Sequence, residues 1–430
     1  MTVASSTSQP PRTGEAPGCR NKASFEQRTL RLAVVSDVHA SAAVAHRDQT
    51  YATTVSKDSE KFNPLTALRT LVERDETVRA DYLLCPGDLT NKIDVPGLRY
   101  AWDSLHEIAE GLGARRVVAT AGNHDVVRGE EVPADADEDA WVQALRDLEP
   151  PFPDPGGDCS DTYFMVDFTV VVEPLMQLVV LNSCARHGAT GEYTRGSISE
   201  RTRNDIKALI ATSTRPLNIV LCHHHPIRWR HLAPADTSEM DGGTELLAML
   251  EQREDAAEWL VLHGHRHVPA LGYEGESTSG PVRFSAGSLA VNLHAEARGH
   301  ARNQFYILEF DLDRLERLSL QGGGRFRAWD FNFGVGMTPA SNTSDLPSSG
   351  GFGFRRTRHE LAKLAREACA PGLRTVTWEQ LLAAETGFAY VAPADIRQLR
   401  RLLQAQGHSV VPDNVDAPTI TSISFAAYQA

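Results

Sequence analysis

The chain carries five short motifs of Asp, Asn, His and Gly, and most of them directly follow a short run of β-branched and aliphatic residues. The motifs are Asp37-Val38-His39, Gly87-Asp88, Gly122-Asn123-His124-Asp125, His223-His224-His225-Pro226 and His263-Gly264-His265-Arg266-His267. Short apolar runs of this kind are typical of buried strands. Because neighbouring strands of an open α/β sheet present their carboxyl ends at one edge, the motifs are expected to lie together there. The sequence therefore predicts an α/β fold with a polar site at a sheet edge.

Amphipathic helices separate the first three predicted strands. The strands are expected at 30–36, 82–85 and 116–121, and apolar residues recur at helical spacing at 65–72 and 98–112. An order of strand, helix and strand is typical of βαβ units with parallel strands. Later apolar runs predict two strands within 163–181 and further strands at 217–222, 259–262, 282–285 and 303–311.

The length of 430 residues fits one large domain with a smaller appended module. Residues 1–28, which are rich in Ser, Thr, Pro and Gly, are predicted to be a disordered tail. Residues 334–353 have a similar composition and are predicted to be a linker. The main domain is then expected at 29–333, and helical patterns beyond the linker predict a small, mostly α-helical C-terminal module at 354–430.

Charge and cysteine usage restrict the classes of partner. The formal net charge of −13 does not favour sequence-independent binding to nucleic acid or to anionic membranes. Nowhere do about 18 apolar residues run together, so no membrane-spanning helix is expected. The six cysteines show no CxxC spacing, and three of them end apolar runs, as buried reduced thiols do. These features predict a reducing, cytoplasmic location; the oligomeric state is left open.

The side chains in the motifs suit a pair of divalent cations. Asp, Asn and His offer oxygen and nitrogen ligands, and a carboxylate can bridge two ions. Asp37 and His39 alternate with Val38, so both side chains can point to the same side of the strand end. A glycine before Asp88 and another before Asn123 allow the backbone to turn tightly.

In their order and spacing, the five motifs resemble the signature of the calcineurin-like metallophosphoesterases, over about residues 30–325. This resemblance implies a four-layer αββα sandwich of two mixed β-sheets flanked by helices. It also implies that Asp37, His39 and His267 bind one metal ion, that Asn123, His224 and His265 bind a second, and that Asp88 bridges both. His124 would be the acid catalyst, and Asp125 would orient His124 or a ligand.

The triple histidine leaves one assignment open. The ligand in the family lies two residues before the proline, which selects His224, whereas His223 is the alternative one residue earlier. His263 falls outside the G-H-x-H pattern and is not expected to be a ligand. Asn91, His225, Arg228 and Arg195 are predicted as substrate contacts, since loops at strand ends line sites of this kind.

The predicted function is hydrolysis of a phosphate ester, with a small-molecule phosphodiester favoured over a phosphomonoester. The resemblance implies attack by a hydroxide that bridges two metal ions, with His124 protonating the leaving oxygen. The ions are expected to be Mn²⁺ or Fe²⁺/Fe³⁺, with Zn²⁺ as a further alternative. Two alternative functions are a nuclease acting on DNA or RNA, and a non-catalytic metal-binding scaffold that recruits a partner through the C-terminal module.

Overall fold

The computed structural model describes most of the chain. The described residues are 28–43, 49–92, 94–126, 140–156, 159–187, 195–211, 215–228, 238–252, 259–273, 280–293, 302–320, 322–342, 345–414 and 416–426. The predicted disordered tail at 1–28 lies outside them, apart from Arg28. Among the helices of the described ranges, none has the length and apolar character needed to span a bilayer.

Strands and helices alternate through the first half of the chain. The strands are β1 (Thr29–Val34), β2 (Tyr82–Cys85), β3 (Arg116–Ala119), β4 (Phe168–Val172), β5 (Met176–Leu181), β6 (Leu217–Leu221), β7 (Trp259–His263), β8 (Ala270–Tyr273), β9 (Val282–Ser285), β10 (Gln304–Asp311), β11 (Gly324–Asn332), β12 (Gly336–Pro339), β13 (Ser349–Phe352), β14 (Thr375–Thr377), β15 (Ser409–Val411) and β16 (Ser422–Ser424). The α-helices are α1 (Pro64–Arg74), α2 (Val95–Leu112), α3 (Asn123–Val126), α4 (Ala140–Arg146), α5 (Cys159–Val166), α6 (Glu200–Ile210), α7 (Gly243–Glu251), α8 (Leu312–Arg317), α9 (Arg358–Glu367), α10 (Trp378–Ala384) and α11 (Pro393–Ala405). A 3₁₀-helix covers Thr386–Tyr390.

Two mixed sheets form the main domain. The first has the strand order β12-β11-β10-β1-β2-β3, with β13 also paired to β11. In it, β1, β2 and β3 are parallel, whereas β10 is antiparallel to β1. The second has the order β4-β5-β6-β7-β9-β8, with four parallel central strands between antiparallel edge strands.

The second sheet is covered on both faces, as the alternation of its side chains shows. Val179, Val220 and Val261 pack in one cluster with Ile206 of α6 and Leu246 of α7. Their neighbours Leu178, Ile219 and Leu260 belong to the large core shared with the first sheet. On the first sheet, α2 packs against β2 and β3. The predicted sandwich of two mixed sheets flanked by helices is confirmed.

The structure differs from the predicted linker at 334–353. Strands β12 and β13 lie within this segment, and both pair with β11 of the first sheet. Its glycines allow close packing, since a Cβ on Gly351 would lie 2.0 Å from the carbonyl oxygen of Ala389. The glycines of β13 therefore belong to a strand that packs closely against the residues around Ala389. The first sheet extends to Phe352.

The C-terminal residues combine helices with a small sheet. Helices α9, α10 and α11 accompany a three-stranded antiparallel sheet with the order β14-β16-β15. Each of these strands has three residues, which is too short for a recognisable period-2 pattern. The prediction of a mostly helical module missed this sheet for that reason.

Candidate metal centre

Each of the five motifs begins within three residues of the end of a strand. Asp37, Asp88 and Asn123 follow the adjacent parallel strands β1, β2 and β3 of the first sheet. His223 and His265 follow the adjacent parallel strands β6 and β7 of the second sheet. The carboxyl ends of both sheets therefore deliver their polar side chains to one place.

One cluster consists of Asp37, His39, Asp88 and His267, whose potential ligand atoms all lie within 4.8 Å of one another. The Nε2 atoms of His39 and His267 are 3.2 Å apart. His267 Nε2 is 3.3 Å from Asp37 Oδ1, and His39 Nε2 is 3.4 Å from Asp88 Oδ2. These four side chains could hold one cation.

A second cluster adjoins the first through Asp88. His223 Nε2 and His265 Nδ1 each lie 3.0 Å from Asn123 Oδ1 and 3.2 Å from each other. His223 Nε2 is also 3.4 Å from Asp88 Oδ2. The same carboxylate oxygen is thus 3.4 Å from a histidine of each cluster, which is the arrangement expected of a bridging ligand.

The donor set fits two divalent cations. Ligands bonded to one cation at about 2.0–2.2 Å are separated from each other by roughly 3 Å, as are the facing nitrogen and oxygen atoms here. Carboxylate, amide oxygen and imidazole nitrogen suit Mn, Fe and Zn alike. The geometry therefore supports a dinuclear centre without selecting the metal.

The structure favours His223 over His224 in this centre. His223 Nδ1–H donates to the carbonyl oxygen of Pro86 at 2.9 Å, so Nε2, which faces Asp88 and Asn123, is the nitrogen that a cation would bind after losing its proton. His224 Nδ1 lies 2.9 Å from Ser183 Oγ instead. His224 also comes within 4.8 Å of His223 and His265, but the contacts with Asn123 and Asp88 single out His223. We therefore replace the predicted His224 by His223 in the second ligand set.

Left-handed backbone is concentrated at the centre. Five non-glycine residues of the two clusters have φ between 46° and 77°. They are Asp37, His39, Asp88, His265 and His267. Such a conformation costs about 1 kcal/mol or more per residue, and its accumulation at one place is typical of functional sites.

Two glycines allow the motif loops to approach each other. A Cβ on Gly122 would lie 2.1 Å from Asp88 Oδ1, and a Cβ on Gly264 would lie 2.2 Å from Asp37 Oδ2. Any larger residue at either position would displace a carboxylate of the centre. The motif glycines are thus required by packing around the ligands.

His124 and Asp125 have different partners. His124 Nδ1 lies 3.1 Å from Asn91 Oδ1, and the Asn91 amide nitrogen donates to Gln49 Oε1 at 2.8 Å. Asp125 accepts hydrogen bonds from the backbone N–H groups of Thr90 and Gly122, both at 2.8 Å. Asp125 therefore ties together the loops that carry Asp88 and Asn123, whereas Asn91 orients His124.

Burial and mutual charge set the protonation of the centre. Burial raises the pKa of Asp88, but neighbouring imidazoles, with that of His223 contributing most, outweigh burial and bring this pKa well below its ordinary value. Burial lowers the pKa of His39 to about 3, against the opposing charge of Asp88. Burial raises the pKa of Asp125 to about 7, and the charge of Asp88 adds to the rise. An ionised Asp88 beside a neutral His39 is the state that binds cations.

The remaining predicted substrate contacts lie around Glu239. Arg228 forms a bidentate ion pair with the Glu239 carboxylate, with distances of 2.8 and 3.0 Å. Arg195 Nε donates to the Glu239 backbone carbonyl oxygen at 3.2 Å. The His225 ring stacks at 5.9 Å from that of His265. Both arginines are thus engaged by one acidic residue.

Sequence reasoning missed Gln49 and Ser238. Ser238 Oγ lies 3.2 Å from His265 Nε2, so it is placed to fix the ring that offers Nδ1 to the second cluster. Neither residue stands in a motif or in a periodic pattern. Their roles depend on contacts with distant segments, and no local signal marks them.

Comparison with solved structures gives resemblances at low identity. A dimetal phosphatase from Danio rerio is 12% identical with a TM-score of 0.45, and the match covers 72% of this chain and 98% of that one. PhoD is 11% identical with a TM-score of 0.45, covering 76% and 70%. A purple acid phosphatase, PPD1 from yellow lupin, is 12% identical with a TM-score of 0.44, covering 71% and 52%.

Sequence comparison is more decisive than these structural resemblances, whose TM-scores are all below 0.5. No curated protein matches the chain. The model of one family, however, matches residues 30–276, which is more than half of the chain and spans all five motifs. The chain belongs to the calcineurin-like phosphoesterase family.

Proposed function

We propose that the chain hydrolyses a small-molecule phosphodiester at a dinuclear centre, with Mn²⁺ or Fe²⁺/Fe³⁺ as the ions and Zn²⁺ as a further alternative. The observation that carries the proposal is the position of Asp88 Oδ2, 3.4 Å from His39 of one cluster and from His223 of the other. The first ligand set is Asp37, His39, Asp88 and His267. The second is Asp88, Asn123, His223 and His265.

The two ligand sets would hold two divalent cations, which would supply an activated water molecule near neutral pH and positive charge for the phosphoryl oxygens. His124 is the proton donor to the leaving oxygen in this proposal. Its backbone N–H donates to Asp88 Oδ1 at 2.8 Å, which places its ring beside the bridging carboxylate. The ring centroids of His124 and His39 are 4.5 Å apart. His124 therefore lies next to the first cluster but is not one of its proposed ligands.

The preference for a diester rests on charge. A phosphomonoester dianion needs more positive charge around its oxygens than a diester monoanion. Arg228 and Arg195, the two arginines predicted as substrate contacts, both bind Glu239. The partner of His124 is the neutral side chain of Asn91. Little positive charge from these side chains is therefore left for the phosphoryl oxygens, which suits the less charged diester.

We also propose a cytoplasmic location. Cys85, Cys184 and Cys222 are buried free thiols in the structure, as the sequence pattern predicts for a reducing compartment. Location can be measured directly by fractionating cells that express the chain.

Purified chain supplied with Mn²⁺ tests the activity. Bis-p-nitrophenyl phosphate, p-nitrophenyl phosphate, cyclic nucleotides and single-stranded DNA are compared by kcat/KM, with Asp88→Ala and His124→Ala as controls. We expect the diester to be the better of the two chromogenic substrates and both variants to be impaired. A higher kcat/KM for the monoester would overturn the diester preference, and a preference for DNA would favour the nuclease. Absence of hydrolysis with Mn²⁺, Fe²⁺ and Zn²⁺ would favour the scaffold.

A further inference from the structure

Three metal-binding side chains that neither proposed ligand set uses lie together beside the second cluster. They are Cys184, His187 and His224, and all are buried. Their potential ligand atoms lie within 4.8 Å of one another. Cys184 Sγ is 3.9 Å from His224 Nδ1, and the ring centroids of His187 and His224 are 5.1 Å apart. We call these residues the Cys-His-His cluster.

The cluster is built at the ends of two neighbouring strands. Cys184 and His187 follow β5, whereas His224 follows β6, and these strands are adjacent and parallel. A turn holds the first two residues, because the backbone N–H of His187 donates to the Cys184 carbonyl oxygen at 2.9 Å. Two ordered strand ends therefore bring a thiol and two imidazoles together.

Contacts around His224 hold its ring in place. Ser183 Oγ accepts a hydrogen bond from the His224 backbone N–H at 3.2 Å and lies 2.9 Å from Nδ1. Gly196 closes over the ring, and a Cβ there would lie 2.4 Å from His224 Cγ. The imidazole is therefore fixed by the segments that enclose it.

One polar atom of this ring lacks a protein partner. His224 Nε2 is buried and has no hydrogen-bond partner within the described ranges, whereas Nδ1, on the same ring, is the nitrogen 3.9 Å from Cys184 Sγ and also contacts Ser183 Oγ. A buried imidazole nitrogen without a partner is unfavourable. Buried polar atoms of this kind are commonly satisfied by a bound ion or an ordered water molecule.

We propose that Cys184, His187 and His224 bind a single Zn²⁺, separate from the dinuclear pair. A thiolate with two imidazoles is a borderline-soft ligand set that suits tetrahedral Zn²⁺, with a fourth position for water. The two proposed sets of the dinuclear centre contain no sulfur. Binding releases the thiol proton of Cys184 and joins the loop after β5 to the loop after β6. Because His224 directly follows His223, this ion also restrains a ligand of the dinuclear centre.

Cobalt separates the zinc site from the dinuclear centre, since only a thiolate ligand gives a sulfur-to-Co²⁺ charge-transfer band. The full chain is stripped with a chelator and titrated with Co²⁺, and bound metal is measured by elemental analysis together with near-ultraviolet absorption. We expect three ions per chain and a charge-transfer band. Cys184→Ser should abolish the band and retain two ions, and His187→Gln should raise the Kd for the third ion by more than about tenfold.

Cys222→Ser is the matched control, because Cys222 is equally buried and its thiol lies 3.4 Å from the His224 carbonyl oxygen. This variant should keep the band. A wild-type chain that binds two ions without a band would overturn the proposal, as would a band that persists in Cys184→Ser. The outcome does not depend on the proposed hydrolysis, since a chain with three ions and no activity would contradict only the function.

Discussion

His124 and Asn91 form a pair in which the amide orientation sets the imidazole tautomer. The Asn91 nitrogen donates to Gln49 Oε1 at 2.8 Å, so the Asn91 oxygen faces His124 Nδ1, 3.1 Å away. Nδ1–H then donates to Asn91, and Nε2 is left to exchange a proton with the substrate. Burial lowers the pKa of His124 despite the charge of Asp88. A carboxylate partner would raise the pKa of His124 by its negative charge, whereas the neutral amide of Asn91 has no charge with which to do so.

Replacement of His124 should separate catalysis from metal binding. Proton donation by a positioned side chain contributes about 10²–10⁴-fold, so His124→Gln should lower kcat by that factor on diesters with alkoxide leaving groups. The loss should be smaller with bis-p-nitrophenyl phosphate, because p-nitrophenolate leaves without a proton. Elemental analysis should show an unchanged content of the dinuclear ions. Equal losses on both classes of diester would contradict a role as acid.

Replacement of Asn91 should move the pH dependence of the reaction. In Asn91→Asp a carboxylate would face His124 Nδ1 and raise the pKa of the imidazole. Since the acid must be protonated, the alkaline limb of the kcat profile should shift to higher pH. Gln49→Ala should lower kcat without this shift, because it loosens Asn91 without adding charge. An unmoved alkaline limb in Asn91→Asp would show that Asn91 does not act through His124.

Paired variants of His223 and His224 distinguish the two assignments of the second ion. His223→Gln removes the nitrogen that lies 3.0 Å from Asn123 Oδ1 and 3.4 Å from Asp88 Oδ2. We expect this substitution to raise the Kd of the second ion of the dinuclear centre by at least about 10–100-fold. It should also abolish most of the activity. His224→Gln should keep both dinuclear ions. Isothermal titration of each metal-free variant with Mn²⁺ measures this, and the opposite result would restore the assignment to His224.

The sequence was sufficient to predict most of the side chains that cluster here, because the position of a polar residue after a strand is a local feature. Asp37, Asp88 and Asn123 each lie three or four residues after an apolar run that forms a strand. The choice between His223 and His224 is not local. It depends on the contacts of His223 with Pro86 and Asn123, which lie 137 and 100 residues away along the chain.

Gln49 and β13 show the same limit of local reasoning. Gln49 lies in a polar stretch, and its contact with Asn91 spans 42 residues. Strand β13 has the sequence Ser-Gly-Gly-Phe, which has the composition of a linker. It forms a strand because β11 pairs with it. This pairing is a tertiary contact, which cannot be predicted from the local composition.

Arg400 should be a main support of the C-terminal residues. Its side chain is fully buried on α11 and donates to the backbone carbonyl oxygens of four residues. These are Val410, Pro412, Ala417 and Thr419. Arg400→Leu leaves these buried acceptors without a donor and should lower the free energy of unfolding by roughly 2–5 kcal/mol in urea denaturation. Arg401→Leu, which removes an exposed ion pair with Asp416, should cost less than about 1 kcal/mol; equal losses would contradict the role of Arg400.

Asp395 should make stability depend on pH. Burial raises the pKa of this partly buried carboxyl on α11 to about 6, although Arg355 opposes the rise. Below about pH 4 the group is protonated in both the folded and the unfolded chain, so it has no effect. Between about pH 4 and about pH 6 the unfolded chain releases the proton first, so stability falls as the pH rises, and the loss is constant above this window.

Asp395→Asn keeps the shape and removes the charge, so it should be more stable than the parent at pH 7.5, by up to about 3 kcal/mol at about 1.4 kcal/mol per pKa unit. The difference should shrink to near zero at about pH 4. Urea denaturation of the metal-free proteins at several pH values measures it, because metal loss at low pH would otherwise contribute. Glu379→Gln, at an exposed position in the first turn of α10, serves as the matched control and should change the free energy of unfolding by less than about 1 kcal/mol. A gain in Asp395→Asn that is independent of pH would mean that the substitution acts through packing, since only an ionisation produces a difference confined to the pH range above about 4.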